Sequence, residues 1–177
     1  INFNDLEVPH RNLYTFQAEI FGDAETDGLW QYSYNHIYYY NTIIDGIMEV
    51  EDVTLEKKRS LRAEALLGRA FEYLTLVNAY ANHYDKNTAA VDPGVPLMLD
   101  KEINKSNLER ATVQQVYDQI LIDLDTAALY LPDKQKTAYR ASKSVGLGML
   151  ARMYLYMGEY DQALKYAKLS LAENSSL

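Results

Sequence analysis

The sequence has no cysteine and is poor in basic residues, and each shortage excludes a class of protein. Without cysteine, the chain of 177 residues has no disulfide, no thiolate metal ligand and no cysteine nucleophile. Its 17 lysines and arginines are outnumbered by 25 acidic residues, so the net charge is -8. This charge argues against duplex DNA or an anionic membrane as the main partner. No apolar run approaches the length of roughly 18–20 residues that a membrane span needs.

Glycine and proline are also scarce, at 8 and 4 residues, while apolar residues recur every three to four positions. This period predicts an all-α fold. Thr112 and Gln115 form a capping box, and Ser142 is placed to cap a later helix. The predicted helices are Leu13–Ile20, a long helix from Leu29, Leu55–Ala81, a helix from Thr112 to about Leu131, a helix after Ser142, and Tyr160–Ala172.

Residues 82–111 contain the sequence DPGVPL, which breaks any helix. Structureless segments of this length are uncommon in compact domains, so we expect a loop that is functional or docked along the surface. Two helices carry the predicted core. Their inward positions are Tyr34, Ile37, Tyr38, Asn41, Ile44 and Met48 in the first, and Ala63, Leu66, Leu67, Ala70, Phe71, Leu74 and Val77 in the second. Asn41 is polar, so we expect hydrogen bonds from it to a neighbouring helix or loop.

The last two predicted helices form a hairpin of tetratricopeptide type, covering residues 144–177. Gly158 lies at its corner, and the small residues Ala151 and Ala163 allow the two helices to approach closely. A single repeat cannot bury its own outer faces, so neighbouring helices must pack against it.

The sequence contains no recognisable catalytic centre. Its three histidines are scattered without the spacing of metal ligands. The run Gly146–Ala151 matches a dinucleotide fingerprint, but it lies within a predicted helix, so its glycines are interpreted as close-packing positions. Asp123 and Asp125 are two positions apart on one helix and point to different sides, which favours a solvated face over a pair of catalytic carboxylates.

The segment DAETDGLWQYSY, residues 23–34, has three interpretations. Asp23, Asp27 and Gly28 match a calcium loop, but Tyr34 stands where that loop needs a bidentate carboxylate. A ligand-facing turn is the second, since carboxylates can accept bonds from sugar hydroxyls while Trp30 and Tyr32 offer flat apolar faces. The third is a capped helix start with Trp30 in the core.

Five segments together resemble the SusD/RagB family of outer-membrane lipoproteins for nutrient capture in Bacteroidota. In chain order they are YNHIYYYNTII (34–44), RAEALLGRAFEYLTLVNAYA (62–81), DPGVPLMLD (92–100), RATVQQVYDQILIDLDTAALYLP (110–132) and ASKSVGLGMLARMYLYMGEYDQALKYA (141–167). The resemblance implies tetratricopeptide-like hairpins in a right-handed α-α superhelix. It also implies that residues 1–177 are the helical N-terminal domain of a longer protein, with the hairpin 144–177 inside it.

The same resemblance implies a function without catalysis or cofactor. The protein would capture an oligosaccharide at the cell surface and dock on a TonB-dependent transporter of the SusC type, held at the outer membrane by a lipid anchor outside this chain. Ligand-binding residues are expected at Trp30, Asp27, Tyr32 and Asp23. Two other functions remain open, namely a tetratricopeptide scaffold for protein–protein interaction and a RagB-like lipoprotein that captures peptides.

Overall fold

The computed structural model describes residues 3, 6–21, 27–102 and 108–173, and these are predominantly helical. The predicted all-α class is confirmed. In chain order the elements are α1 (Val8–Tyr14), α2 (Gly28–Gly46), a short 3-10 helix (Ile47–Glu49), α3 (Leu55–Tyr80), β1 (Pro93–Pro96), β2 (Arg110–Thr112), α4 (Val113–Tyr130), α5 (Lys143–Tyr156) and α6 (Tyr160–Glu173). Within the described ranges, no helix combines the length and hydrophobicity needed to span a bilayer.

The chain divides into two compact units, Ile1–Tyr32 and Ser33–Leu177. In the first unit, helix α1 begins at Val8 rather than at the predicted Leu13. It ends at Tyr14 rather than at the predicted Ile20. Pro9 stands in its first turn, where a missing backbone N–H costs nothing. The helix then stops because Phe16 adopts a left-handed backbone conformation, with φ of 53°.

Helix α2 buries a narrower stripe than its sequence suggested. Ile37, Asn41 and Ile44 are buried as predicted. Tyr38 and Met48 were predicted inward but are 44% and 36% exposed. The α-helix ends at Gly46, so the 3-10 turn that follows no longer continues the stripe to Met48.

Helices α3 and α4 form the centre of the core in the second unit. They run antiparallel, since Arg59 near the start of α3 lies over the ring of Tyr130 at the end of α4. The predicted capping box at the start of α4 is confirmed. Phe71, predicted to face inward, is instead 47% exposed. The buried side chains of the two helices include Leu66, Ala70, Tyr73, Leu74, Leu76 and Val77 of α3, and Val113, Val116, Tyr117, Ile120 and Leu124 of α4.

The segment between α3 and α4 contains a two-stranded antiparallel ribbon that the sequence did not predict. Its register is irregular, with Pro93 opposite Thr112 and Pro96 opposite Arg110. The ribbon is docked on α3, because the guanidinium of Arg110 in β2 donates to the carbonyl of Tyr80 at the end of that helix. The Nε of Arg110 also donates to the carbonyl of Gly94 in β1 at 2.5 Å, which ties the two strands together. The expectation of a segment packed along the surface is therefore correct, although part of it is strand rather than loop.

Replacing Gly94 tests this close ribbon packing. A Cβ at Gly94 would lie 2.8 Å from the backbone oxygen of Ala111 and 2.9 Å from that of Thr112. Backbone oxygens cannot rotate away as a side chain can, so Gly94→Ala should lower the free energy of unfolding by about 1–2 kcal/mol in urea titrations. Gly46→Ala is the matched control, since nothing lies within 4 Å of a Cβ there. Equal stability of the two variants would contradict this packing.

Helices α5 and α6 form the predicted hairpin. Gly158 at the corner has φ of +75°, a conformation that favours glycine. Ala163 is buried, and the rings of Tyr154 and Tyr166 stack with centroids 5.3 Å apart. Ser142 is the N-cap residue of α5, as predicted, but its side chain makes no cap hydrogen bond.

The two glycines of the apparent dinucleotide fingerprint are close-packing positions. A Cβ at Gly146 would lie 3.1 Å from Leu131, and one at Gly148 would lie 3.4 Å from the hydroxyl of Ser170. Both glycines lie inside α5, without the preceding strand that a dinucleotide site requires.

Candidate functional site

The start of helix α2 carries three of the four predicted ligand-binding residues. One carboxylate oxygen of Asp27 accepts hydrogen bonds from the backbone N–H of Leu29 at 3.0 Å and of Trp30 at 3.4 Å. These bonds satisfy N–H groups that the first helical turn leaves without a partner. The capped-helix interpretation of this segment is therefore correct as far as Asp27 is concerned. The fourth residue, Asp23, lies outside the described residues.

The two aromatic residues of the candidate site project from different sides of the helix. Trp30 and Tyr32 are two positions apart, which separates them by about 200° around the helix axis. Tyr32 is 65% exposed, whereas Trp30 is half-buried. A Cβ at Gly28 would lie 3.4 Å from the ring of Tyr32, so that glycine leaves room for the ring. The two rings therefore do not form one continuous platform for stacking on a sugar.

The calcium-loop interpretation of residues 23–34 fits this backbone poorly. Helix α2 begins at Gly28, so the second half of the would-be loop is already helical. A calcium loop needs a bidentate carboxylate at its last position, and Tyr34 occupies it. In the described ranges, no group of three or more His, Cys, Asp or Glu residues is arranged to hold a metal ion.

A buried ionic network lies in the centre of the second unit. The guanidinium of Arg69 on α3 donates to both carboxylate oxygens of Asp123 on α4, at 2.8 and 2.7 Å. The side chains are only 7% and 1% exposed. Gln119 donates a further bond to the same carboxylate at 2.9 Å. Bidentate geometry is the strongest form of an arginine–carboxylate pair. Because both groups are buried, each would be left as an uncompensated charge without the other.

Asp123 was predicted to lie on a solvated face together with Asp125, and this prediction is wrong. Asp125 is exposed, as predicted, whereas Asp123 is fully buried against Arg69. A signal for this pair was present in the sequence. Arg69 falls on the buried stripe of α3, between Leu66 and Tyr73, and a charged residue there requires a partner of opposite charge.

Asn41 connects this network to the docked segment of residues 96–100. Its oxygen accepts from Arg69 at 2.9 Å, and its amide nitrogen donates to the carbonyls of Met98 at 2.8 Å and Asp100 at 3.3 Å. The expected hydrogen bonds from Asn41 to a neighbouring helix and loop are confirmed. One buried amide thereby joins α2, α3 and the segment between α3 and α4.

Two tyrosine hydroxyls hold the same segment. Tyr73 donates to the carbonyl of Met98 at 2.8 Å and accepts from its N–H at 2.7 Å, while Tyr34 donates to the carbonyl of Pro96 at 2.9 Å. Burial raises the pKa of both hydroxyls above the ordinary value, because a phenolate would lose its hydration. Both therefore remain protonated donors at neutral pH.

Stacked antiparallel helix pairs with a docked Pro/Gly segment define a tetratricopeptide-like helical scaffold. A family model described as "Starch-binding associating with outer membrane" matches residues 4–155. The match covers most of the chain, which therefore belongs to this SusD-like family.

Individual relatives agree with this assignment. A SusD-like protein, P2, of Formosa agariphila is 26% identical over 112 residues, which is 63% of this chain and 20% of the relative. The crystal structure of a SusD superfamily protein from Bacteroides fragilis superimposes with a TM-score of 0.80 at 29% identity, over 96% of this chain and 40% of that one. A laminarin-binding SusD-like protein superimposes with a TM-score of 0.70 at 25% identity, over 82% and 30%. This chain thus spans less than half the length of each.

Proposed function

We propose that the chain is part of a non-catalytic glycan-capturing protein at the outer surface of the cell. The observation that carries this proposal is the family match over residues 4–155, whose description is starch-binding. The similarity to a protein that binds laminarin, a second polysaccharide, supports the same ligand class.

The proposed partner is a TonB-dependent outer-membrane transporter of the SusC type. The protein would hold an oligosaccharide at the transporter, attached to the membrane by a lipid anchor. Residues 1–177 would serve as the helical N-terminal domain, with 144–177 as its tetratricopeptide-like hairpin. The exposed side chains of α6, among them Leu164 and Leu171 at 56% and 58%, suit a scaffold that packs against further protein.

Within this chain, the proposed contribution to ligand binding comes from the start of α2. Tyr32 and Trp30 would stack on sugar rings, and Asp27 and Asp23 would accept bonds from hydroxyls. Stacking on an exposed aromatic ring contributes about 1–3 kcal/mol to the free energy of binding. Two rings on different sides of a helix therefore contribute to a larger site and do not form a tight site by themselves.

Trp30→Ala and Tyr32→Ala, made singly in the full-length protein, test this site. Each should weaken binding of maltooligosaccharides or laminarin oligosaccharides by about tenfold to a hundredfold in isothermal titration, because one stacking ring is lost. Tyr39→Ala is the matched control, as it removes an aromatic residue of the same helix that is 62% exposed and outside the proposed site.

The role of Asp27 can be separated from its role in capping. Asn caps helices about as well as Asp, so Asp27→Asn should keep the helix start while removing the charge. Circular dichroism of every variant should match that of the unmodified protein. Undiminished glycan binding by both aromatic variants would refute the site, and unfolding of Trp30→Ala would assign Trp30 to the core. Binding of peptides but not glycans by the full-length protein would favour the peptide-capturing alternative.

A further inference from the structure

A groove between the start of α3 and the end of α4 combines positive charge with exposed apolar side chains. It has a volume of about 1030 Å³ and is lined by residues 54–57, 59–60 and 129–136. Four of its lining residues are cationic, namely Lys57, Arg59, Lys134 and Lys136, and two are acidic, Glu56 and Asp133. The groove is therefore locally basic in a chain whose net charge is -8. Hereafter it is called the basic groove.

The apolar lining of the basic groove is unusually accessible. Leu129 is 76% exposed, Leu55 is 51% exposed and Tyr130 is 42% exposed. The guanidinium of Arg59 lies 5.3 Å from the centroid of the Tyr130 ring, so charge and apolar surface adjoin each other. Tyrosine and arginine are both enriched at the centre of interfaces between proteins, and the rim of such interfaces is polar.

One wall of the basic groove is the segment that follows α4, and hydrogen bonds hold this segment in place. Arg140 donates to both carboxylate oxygens of Glu64 on α3, at 2.8 and 2.5 Å. Gln135 donates to the same carboxylate at 3.1 Å and to the carbonyl of Ala141 at 2.8 Å. These bonds fix the segment after α4 against α3, so a partner would not have to order this wall on binding.

The lysines of the basic groove are available to a partner. Within the described part of the chain, Lys57, Lys134 and Lys136 make no salt bridge. The carboxylate of Asp133 lies 3.9 Å from the amine of Lys143, and this positive charge offsets part of the negative charge of Asp133. The uncompensated charge of the groove is consequently positive, so a partner of complementary charge would present acidic groups to it.

We propose that the basic groove binds an acidic polypeptide segment that also carries apolar side chains. Charge complementarity requires the acidic part, and the exposed side chains of Leu55, Leu129 and Tyr130 offer contacts to the apolar part. An anionic glycan would use the lysines but not these leucines. An anionic membrane is disfavoured because the surface is concave and the net charge of -8 repels it. This inference is independent of the proposed glycan site on α2.

Fluorescence anisotropy with a labelled peptide of alternating glutamate and leucine tests the proposal. The peptide should bind the 177-residue chain at about 50 mM salt and bind more weakly at about 300 mM, because exposed charges are screened. The triple variant K57E/K134E/K136E should bind it at least about tenfold more weakly, given up to about 1 kcal/mol for each exposed pair. Leu129→Ser should also weaken it, as should replacing the leucines of the peptide by serine.

The matched control is K86E/K101E/K168E, which changes the net charge equally through exposed lysines that do not line the groove. It should keep binding within about threefold of the unmodified chain at the higher salt concentration, where long-range charge is screened. No binding by the unmodified chain, or equal losses in the two triple variants, would overturn the proposal. So would tighter groove-dependent binding of oligogalacturonate or phosphatidylglycerol vesicles. If circular dichroism shows that the first triple variant is unfolded, the double variant K134Q/K136Q replaces it.

Discussion

Asp123→Ala should lower the free energy of unfolding by about 3–5 kcal/mol, because it leaves the buried guanidinium of Arg69 without its partner. The loss includes both bidentate hydrogen bonds, at 2.7 and 2.8 Å, in a site where water cannot replace them. Urea titration followed by circular dichroism measures the change.

Two further variants separate the ion pair from general effects on helix α4. Asp125→Ala changes an exposed carboxylate two positions away and should alter stability by no more than about 0.5 kcal/mol. The double variant Arg69→Met/Asp123→Leu should recover much of the loss, because it removes both buried charges together. If Asp123→Ala proved as stable as Asp125→Ala, the ion pair would not contribute as described.

Tyr73→Phe should cost about 2–3 kcal/mol and should loosen the docked segment of residues 96–100. The hydroxyl of Tyr73 both donates to and accepts from the backbone of Met98. Phenylalanine keeps the ring but leaves the N–H of Met98 without that acceptor, and an unsatisfied buried donor is costly. Limited proteolysis should reveal faster cleavage between residues 96 and 102, and urea titration should give the loss of stability.

Tyr117→Phe is the control for this second prediction. Tyr117 is fully buried on α4, and burial raises its pKa to about 12, but in the described ranges its hydroxyl makes no hydrogen bond. Removing that hydroxyl should leave stability nearly unchanged or slightly higher, since no partner is orphaned. Similar behaviour of the two phenylalanine variants would mean that the Met98 contacts do not hold the segment.

Helix positions in this protein were predictable because they depend on neighbours in the sequence. The capping box of Thr112 and Gln115 and the turn at Gly158 were both identified correctly, since caps and turns use residues within one turn of each other. The start of α1 was missed because Pro9 alone marks it.

The candidate ligand site was only partly accessible to the same reasoning. Asp27 was predicted as a ligand-binding residue and, in the alternative interpretation, as one of the acidic residues at a capped helix start. Its carboxylate accepts from backbone N–H groups of α2, which confirms the second of these roles. The sequence spacing of Trp30 and Tyr32 made them neighbours along the chain, but helix geometry turns them to different sides. Their role in glycan binding stays a prediction.

By itself, the sequence determined the all-α class, the boundaries of most helices to within a residue or two, and membership of the SusD-like family through the segments that resemble it. Only the tertiary structure decided which polar groups are buried together. Arg69 and Asp123 are 54 residues apart, and the segment that pairs into the ribbon lies between them. The spacing of apolar residues along a helix indicates which of its faces is buried. The partner of a buried charge depends instead on how helices that are distant in the sequence pack together.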